Sequence, residues 1–235
     1  MLNKEKHQLI MTRILKDIYG DAEISSYLGF KGGTAAYFFY GLPRFSVDLD
    51  FDFTDNSGDL NETKKMLLRK IETILEKYGD VKQKQIKHWT IFFLLSYGGD
   101  DHNIKIEIST RAHNNQYEVK EYLGIAMLVA KKETLFANKL VALTGRKNLA
   151  MRDVYDAYFF ARDNWDIDGQ IISFWTKKDL KNYLGDCVKR LEKISDRMVL
   201  QGLGEVLEEK EKIWAKSNLK KEAIFLLRNY QKVLD

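Results

Sequence analysis

The 235-residue sequence predicts an α+β fold: a small mixed or antiparallel sheet flanked by helices over residues 1–130, then a helical domain over 131–235 that completes a cleft. Three observations carry this. Segments of the first half, such as "SVDLDFDF" and "NIKIEIST", alternate apolar and polar residues with period two, as a two-faced strand does. From Lys131 onward the apolar spacing is helical almost to the end. No long Gly-, Ser- or Pro-rich linker, repeat or low-complexity segment intervenes, so the two regions are expected to pack together.

The elements follow in order. Leu9, Ile10, Ile14, Leu15 and Ile18 form the apolar stripe of a helix over residues 3–19. "SYLGF" reads as a short extended piece and "GTAAYFFYG" as a short helix between glycines. The strand "SVDLDFDF" precedes the clearest helix of the chain, "LNETKKMLLRKIETILEKYGD", which Asp59 or Asn61 can cap and Gly79 ends. "TIFFLLSY", "NIKIEIST" and "YEVKEYLG" read as strands joined by the turn-rich "GGDDHN" and "RAHNNQ". The helical region comprises "KETLFANKLVALTGR", "MRDVYDAYFFARDN", "GQIISFWTKKDLKNYLGDCVKRLEKI" and "EKEKIWAKSNLKKEAIFLLRNYQKVL".

Composition narrows the class. Apolar residues make up 45% of the chain, enough for a substantial core, and the 31% charged residues are mixed in sign, which argues against disorder. A net charge of +4 permits contact with a polyanion without demanding it. Cys187 is the single cysteine, so no internal disulfide forms, in keeping with a reducing cytoplasm. The N-terminal stretch has the marks of no signal peptide, and no run reaches the roughly 20 apolar residues of a membrane span. A cytoplasmic protein without a membrane partner is expected.

The chemistry is concentrated in "FKGGTAAYFFYGLPRFSVDLDFDF". Gly32 and Gly33 open a helix, whose free backbone N–H groups can hold a phosphate, and glycine leaves room for close approach. Asp48 and Asp50 are two apart on a strand and point the same way. Carboxylates held side by side repel each other unless a cation lies between them. Mg²⁺ takes one or two protein carboxylates plus substrate phosphate oxygens. Alternatively, these aspartates are simply the solvent face of an antiparallel strand. Glu107 in "NIKIEIST" points away from the apolar face, as Lys105 does, and is the candidate third carboxylate of a two-metal arrangement; Glu118 and Glu121 are weaker rivals. Arg44 either neutralises phosphate charge or braces Asp48 and Asp50. Asp52 lies beyond the motif and reads as a solvated strand end or a supporting group.

"GGTAAYFFYGLPRFSVDLDF" closely resembles the signature of the AbiEii/AbiGii nucleotidyltransferase toxin family, within the DNA polymerase β-like superfamily. The superfamily pattern is a glycine pair, a spacer, alternating aspartates and a later strand carboxylate, here Gly32–Gly33, Asp48–Leu49–Asp50 and Glu107. A second block resembles the family's K-x-x-A-L followed by an arginine and R-D-x-x-D: Lys139, Arg146, Arg152, Asp153 and Asp156. The likeness runs from about residue 25 to about residue 165; beyond Asp166 no specific pattern is recognised.

The resemblance implies a polymerase β-like fold and transfer of a nucleoside monophosphate from an NTP, with release of pyrophosphate. Gly32, Gly33, Thr34, Arg44 and Ser46 would bind phosphate. Asp48, Asp50 and Glu107 would hold Mg²⁺. Lys139 would hold nucleotide phosphate, while Asp153 would orient Lys139 or accept a hydroxyl proton. Arg146, Arg152 and Asp156 are further candidates, which an exposed, charge-paired helix face would also explain. The resemblance further implies a toxin with a cognate antitoxin, acting in abortive infection against phage, whose acceptor is the 3′ end of tRNA. A small-molecule hydroxyl or a protein side chain is the alternative acceptor, and a non-catalytic scaffold the alternative function. Basic helices such as "TKKDLKNYLGDCVKRLEK" could take a nucleic-acid backbone or be solvated faces, and Trp165, Trp175 and Trp214 sit at core-like spacing.

Overall fold

The computed structural model describes residues 3–54, 60–98 and 103–234, and the chain divides into two compact units. The proposed Asp59 cap and most of the "GGDDHN" turn lie outside the described residues.

The first unit comprises residues 1–41, 46–112 and 117–130. Its sheet has seven strands: β1 (Leu28–Lys31), β2 (Asp48–Phe53), β3 (Asp80–Lys87), β4 (Thr90–Ser96), β5 (Ile104–Ser109), β6 (Tyr117–Tyr122) and β7 (Ile125–Ala130), in the order β3-β4-β5-β2-β1-β7-β6. The sheet is mixed. β2 pairs parallel with β5, β1 pairs parallel with β7, and the other neighbours are antiparallel. Period-two burial is clean in β4 and β5, where Ile91, Phe93, Leu95, Ile104, Ile106 and Ile108 are fully buried. Helices α1 (Lys4–Gly20) and α3 (Leu60–Glu76) bury the stripes Met11, Ile14, Leu15, Ile18 and Leu67, Ile71, Leu75. Asn61 lies inside α3 rather than at its cap. Gly79 follows α3 where a Cβ would stand 2.1 Å from the Ser96 carbonyl oxygen, so the close approach of the chain to β4 requires glycine there.

Two strands were not expected. β3 is almost wholly polar and exposed at the sheet edge, so it lacks an apolar period to read. β7 is a continuous apolar run, "IAMLVA", without alternation.

The second unit comprises residues 42–45, 113–116 and 131–235. It contains α4 (Lys132–Gly145), α5 (Met151–Arg162), α6 (Gly169–Thr176), α7 (Leu180–Glu192) and α8 (Glu209–Val233). Phe136, Leu140, Phe160, Leu184, Cys187, Leu219 and Leu227 form its core. The segment expected as one helix, "GQIISFWTKKDLKNYLGDCVKRLEKI", breaks in two. Lys177 turns left-handed at φ 59°, and the Asp179 side chain caps α7 by accepting from the Asn182 N–H. Phe45 N–H donates to the Val206 carbonyl at 3.0 Å, which ties residues 42–45 into this unit. Among the described residues no helix is long and apolar enough to cross a membrane.

Candidate active site

The expected site residues fall into two groups, one in each unit. In the first unit, helix α2 (Gly32–Tyr40) starts at the glycine pair, directly after β1. Gly32 has φ +77°, and a Cβ there would lie 2.5 Å from Asp50 Oδ2. Gly32 is therefore required twice over: by a left-handed backbone and by contact with the carboxylate. Lys31, the N-cap residue, supplies no side-chain cap to the helix N-terminus.

Thr34 and Ser46 do not present their hydroxyls as phosphate ligands. Thr34 is fully buried and Ser46 nearly so. Thr34 Oγ1 hydrogen-bonds to the Asp48 carbonyl and lies 2.9 Å from Ser46 Oγ. These hydroxyls clamp the start of α2 onto the entry of β2, because a buried hydroxyl must find its partner inside the protein.

β2 and β5 run parallel with Asp48 opposite Lys105 and Asp50 opposite Glu107. The register thus brings Glu107 beside Asp50 and also introduces a cation. Lys105 Nζ lies 3.5 Å from Asp48 Oδ2 and 3.6 Å from Glu107 Oε2. Burial opposes the Lys105 charge, but Asp48, Glu107 and Asp50 overcome it and hold its ammonium above the ordinary lysine value. Burial raises the Asp50 carboxyl above the usual range, and the charge of Asp48 adds to this.

Among the described residues no group of three or more Asp, Glu, His or Cys is gathered as a metal cluster. The register sets Glu107 beside Asp50, and Lys105 bridges Glu107 to Asp48. Asp48 and Asp50 still suit a magnesium ion that takes two carboxylates and completes its shell with phosphate oxygens and water. Lys105 stands beside Asp48 as a positive charge, and Asp50 Oδ2 lies close against Gly32 at the start of α2. Glu118 is excluded as the third ligand: it sits on edge strand β6 and accepts a hydrogen bond from Tyr40 Oη at 2.9 Å. Asp52 is not a solvated strand end. It is 1% exposed and pairs with Lys31 Nζ at 2.5 Å, while Tyr117 Oη donates to its Oδ2 at 2.7 Å.

The second group lies entirely within the second unit. Lys139 on α4 reaches two carboxylates one helical turn apart on α5, Asp153 Oδ1 at 2.7 Å and Asp156 Oδ2 at 2.8 Å. Asp156 is fully buried, and Arg44 binds it with two nitrogens, Nε at 2.5 Å and Nη2 at 2.7 Å. Arg44 Nη1 donates to the Phe45 carbonyl. Arg44 is thus neither a phosphate ligand nor a brace for Asp48 and Asp50: it is 3% exposed and all three of its guanidinium nitrogens are committed. Burial would raise the Asp156 carboxyl, but the Arg44 and Lys139 charges prevail and hold it below the ordinary range.

Asp153 is the distinctive atom set. Its Oδ1 orients Lys139, whereas its buried Oδ2 has no hydrogen bond among the described residues. Arg146 Nη1 lies 3.1 Å from that oxygen, at ion-pairing distance but outside hydrogen-bond alignment. The charge of Arg146, rather than a hydrogen bond, compensates this buried oxygen. Arg152 is half-buried on α5 and, among the described residues, takes no part in this network. The role of Lys105 was the principal omission of sequence reasoning. A lysine two positions before Glu107 was the available signal, but only the register turns it into a contact with Asp48.

A family model described as "Nucleotidyl transferase AbiEii toxin, Type IV TA system" matches residues 13–222. No curated protein matches the chain. Among solved structures, a Helicobacter pylori protein described as a candidate nucleotidyltransferase is similar at 23% identity, with 97% of this chain and 96% of that one covered and a TM-score of 0.62. JHP933 from Helicobacter pylori is similar at 22% identity, with 100% of this chain and 98% of that one covered and a TM-score of 0.55. These two likenesses speak to the fold. The family match covers most of the chain, both residue groups included, so the chain belongs to the AbiEii family of nucleotidyltransferase toxins of type IV toxin–antitoxin systems.

Proposed function

We propose that the protein transfers a nucleoside monophosphate from an NTP to a hydroxyl at the 3′ end of tRNA, as the toxin of a pair with a cognate antitoxin. The observation that carries a catalytic role is the Lys139–Asp153 pair: Asp153 Oδ1 holds the ammonium at 2.7 Å, and its buried Oδ2 lies 3.1 Å from Arg146 Nη1.

In this reading the acceptor oxygen forms a bond to the α-phosphorus, the α–β phosphate bond breaks, and pyrophosphate leaves. The hydroxyl proton passes to solvent, and Asp153 Oδ1 holds Lys139 in place. The Lys139 ammonium, fixed by Asp153 and Asp156, faces the growing charge of the leaving pyrophosphate. Backbone N–H groups of Gly32 and Gly33 bind phosphate oxygens at the α2 N-terminus. Asp48 and Asp50 would hold Mg²⁺, which supplies charge neutralisation on the triphosphate when bound. Arg44 acts at one remove by keeping Asp156 ionised and in place.

The test is incubation with each α-labelled NTP and total tRNA, with Asp153→Asn and Asp48→Ala alongside. Labelled tRNA from the wild type, lost in both variants, is the expected outcome. Label appearing on a small molecule or a protein, with none on RNA, refutes the tRNA acceptor. Growth arrest that persists unchanged in Asp48→Ala refutes the link between this chemistry and toxicity.

A further inference from the structure

A second charged region of the helical unit lies beside the Lys139–Asp153 cluster. Two cavities of about 640 and 540 Å³ adjoin at Arg190 and Lys193, on and just beyond α7, and are treated together as a groove. Lys147 lines one cavity and Lys189 the other. The first cavity is also walled by Leu149, Ala150 and Met151, the approach to α5, and Asp153 follows two residues later.

The groove is cationic and uncompensated. Lys147, Lys189, Arg190 and Lys193 have no ion pair among the described residues. The one acidic lining residue, Asp186, is already paired with Lys178 at 2.6 Å. Lys189 and Lys193 are four apart, where like charges repel each other, so the protein keeps a mildly unfavourable arrangement that an anion would relieve. Arg190 is held in position, with Nη2 donating to the carbonyls of Arg146 at 3.3 Å and Lys147 at 2.9 Å. This contact links the groove to the segment that carries Arg146, the partner of Asp153.

The groove also has an exposed aromatic wall. Trp175, expected in the core, is 37% exposed and lines the cavity that contains Lys189. A spaced row of cations with an accessible indole matches a single strand of nucleic acid, whose phosphates repeat along the chain and whose bases stack on aromatic rings. An acidic protein segment would use the cations but has no comparable use for the indole.

We propose that this groove binds single-stranded RNA by its phosphate backbone, with a base stacked on Trp175, and so delivers the acceptor end to Asp153. The inference rests on the nucleotidyltransferase reading for the word "acceptor" alone; the binding itself does not.

The experiment is fluorescence anisotropy of a labelled single-stranded RNA oligonucleotide with the full chain, over a range of salt. Lys189→Glu/Lys193→Glu is compared with Lys216→Glu/Lys221→Glu, an equal charge change at exposed α8 positions outside both cavities. The groove double should raise the dissociation constant by about tenfold or more and flatten the salt slope by about 1.4, that is, two phosphate contacts on a single strand. The α8 double should change affinity by less than about threefold, and Trp175→Ala should cost on the order of tenfold at unchanged salt slope. Equal losses in the two doubles, or no loss in the groove double, overturn the proposal. Retained RNA binding with lost binding of a polyglutamate peptide would reassign the groove to an acidic protein and also overturns it. If the wild type binds RNA through the groove but labels no RNA with any NTP, the transferase reading fails and the groove stands. If the groove double labels RNA with unchanged KM, the groove fails and the transferase reading stands.

Discussion

Replacing Lys105 by methionine removes the ammonium that lies 3.5 Å from Asp48 and 3.6 Å from Glu107 while keeping the length of the side chain. At 3.5 Å and an effective dielectric of about 20, each pair represents roughly 5 kcal/mol of gross attraction. The Lys105 side chain is 35% exposed, so solvent screening and side-chain entropy reduce the net contribution to about 1 kcal/mol. Two effects of opposite sign follow. In EDTA the variant should melt about 2–4 °C lower, because the carboxylates lose their compensating charge. With metal present, a dication at Asp48 and Asp50 no longer meets a neighbouring ammonium, so Mn²⁺ should bind about tenfold more tightly, a gain of about 1.4 kcal/mol. Differential scanning fluorimetry in EDTA reads the first effect, and an Mn²⁺ titration followed by electron paramagnetic resonance reads the second. Lys105→Arg keeps the charge and should restore the wild-type metal affinity. A lysine that only supports packing would lower stability and metal binding together. Unchanged or weaker Mn²⁺ binding in Lys105→Met would therefore refute the argument.

Three other outcomes follow from the same geometry. Gly32→Ala places a methyl 2.5 Å from Asp50 Oδ2 on a φ of +77° backbone, so it should lower stability by about 1–3 kcal/mol and abolish nucleotide binding; a calorimetric titration with a non-hydrolysable NTP analogue checks this. The Asp156 carboxyl is depressed by Arg44 and Lys139, so its stabilisation is full above the ordinary carboxylate value near about 4 and is lost as pH falls through the depressed folded value. Acid titrations of unfolding free energy should show that component in the wild type and lack it in Asp156→Asn, which should also be less stable at neutral pH by about 3–5 kcal/mol because Arg44 is left buried without its anion. Cys187 is fully buried and burial pushes its thiol up to about 12, so Ellman's reagent at pH 8 should react only after denaturant is added.

Much of the local structure was legible because local physics writes it into the residues. Ile104, Ile106 and Ile108 alternate with Lys105 and Glu107, and that period alone makes β5 a strand with one buried face. The stripes of α1 and α3 and the glycine pair before α2 are equally local signals. Elements without a clean period, the polar edge strand β3 and the unbroken apolar β7, gave no such signal. The break between α6 and α7 depends on one left-handed residue and one cap, which the apolar spacing runs straight through.

What the sequence by itself determined, then, is which residues are candidates for the chemistry: a glycine pair beside alternating carboxylates, and a lysine followed by two aspartates one turn apart. Tertiary structure decided their partners. The parallel register of β2 on β5 put Lys105 against Asp48, and strand pairing across more than fifty residues leaves no trace in either segment alone. Arg44 was close to Asp48 in sequence yet belongs to Asp156, 112 residues away, because a buried guanidinium must find a buried carboxylate wherever the fold supplies one. Thr34 and Ser46 turned inward for the same reason, since their burial made each other and the Asp48 carbonyl the available partners. Trp175 lies at the surface one residue before α6 ends, and apolar spacing does not reveal where a helix stops.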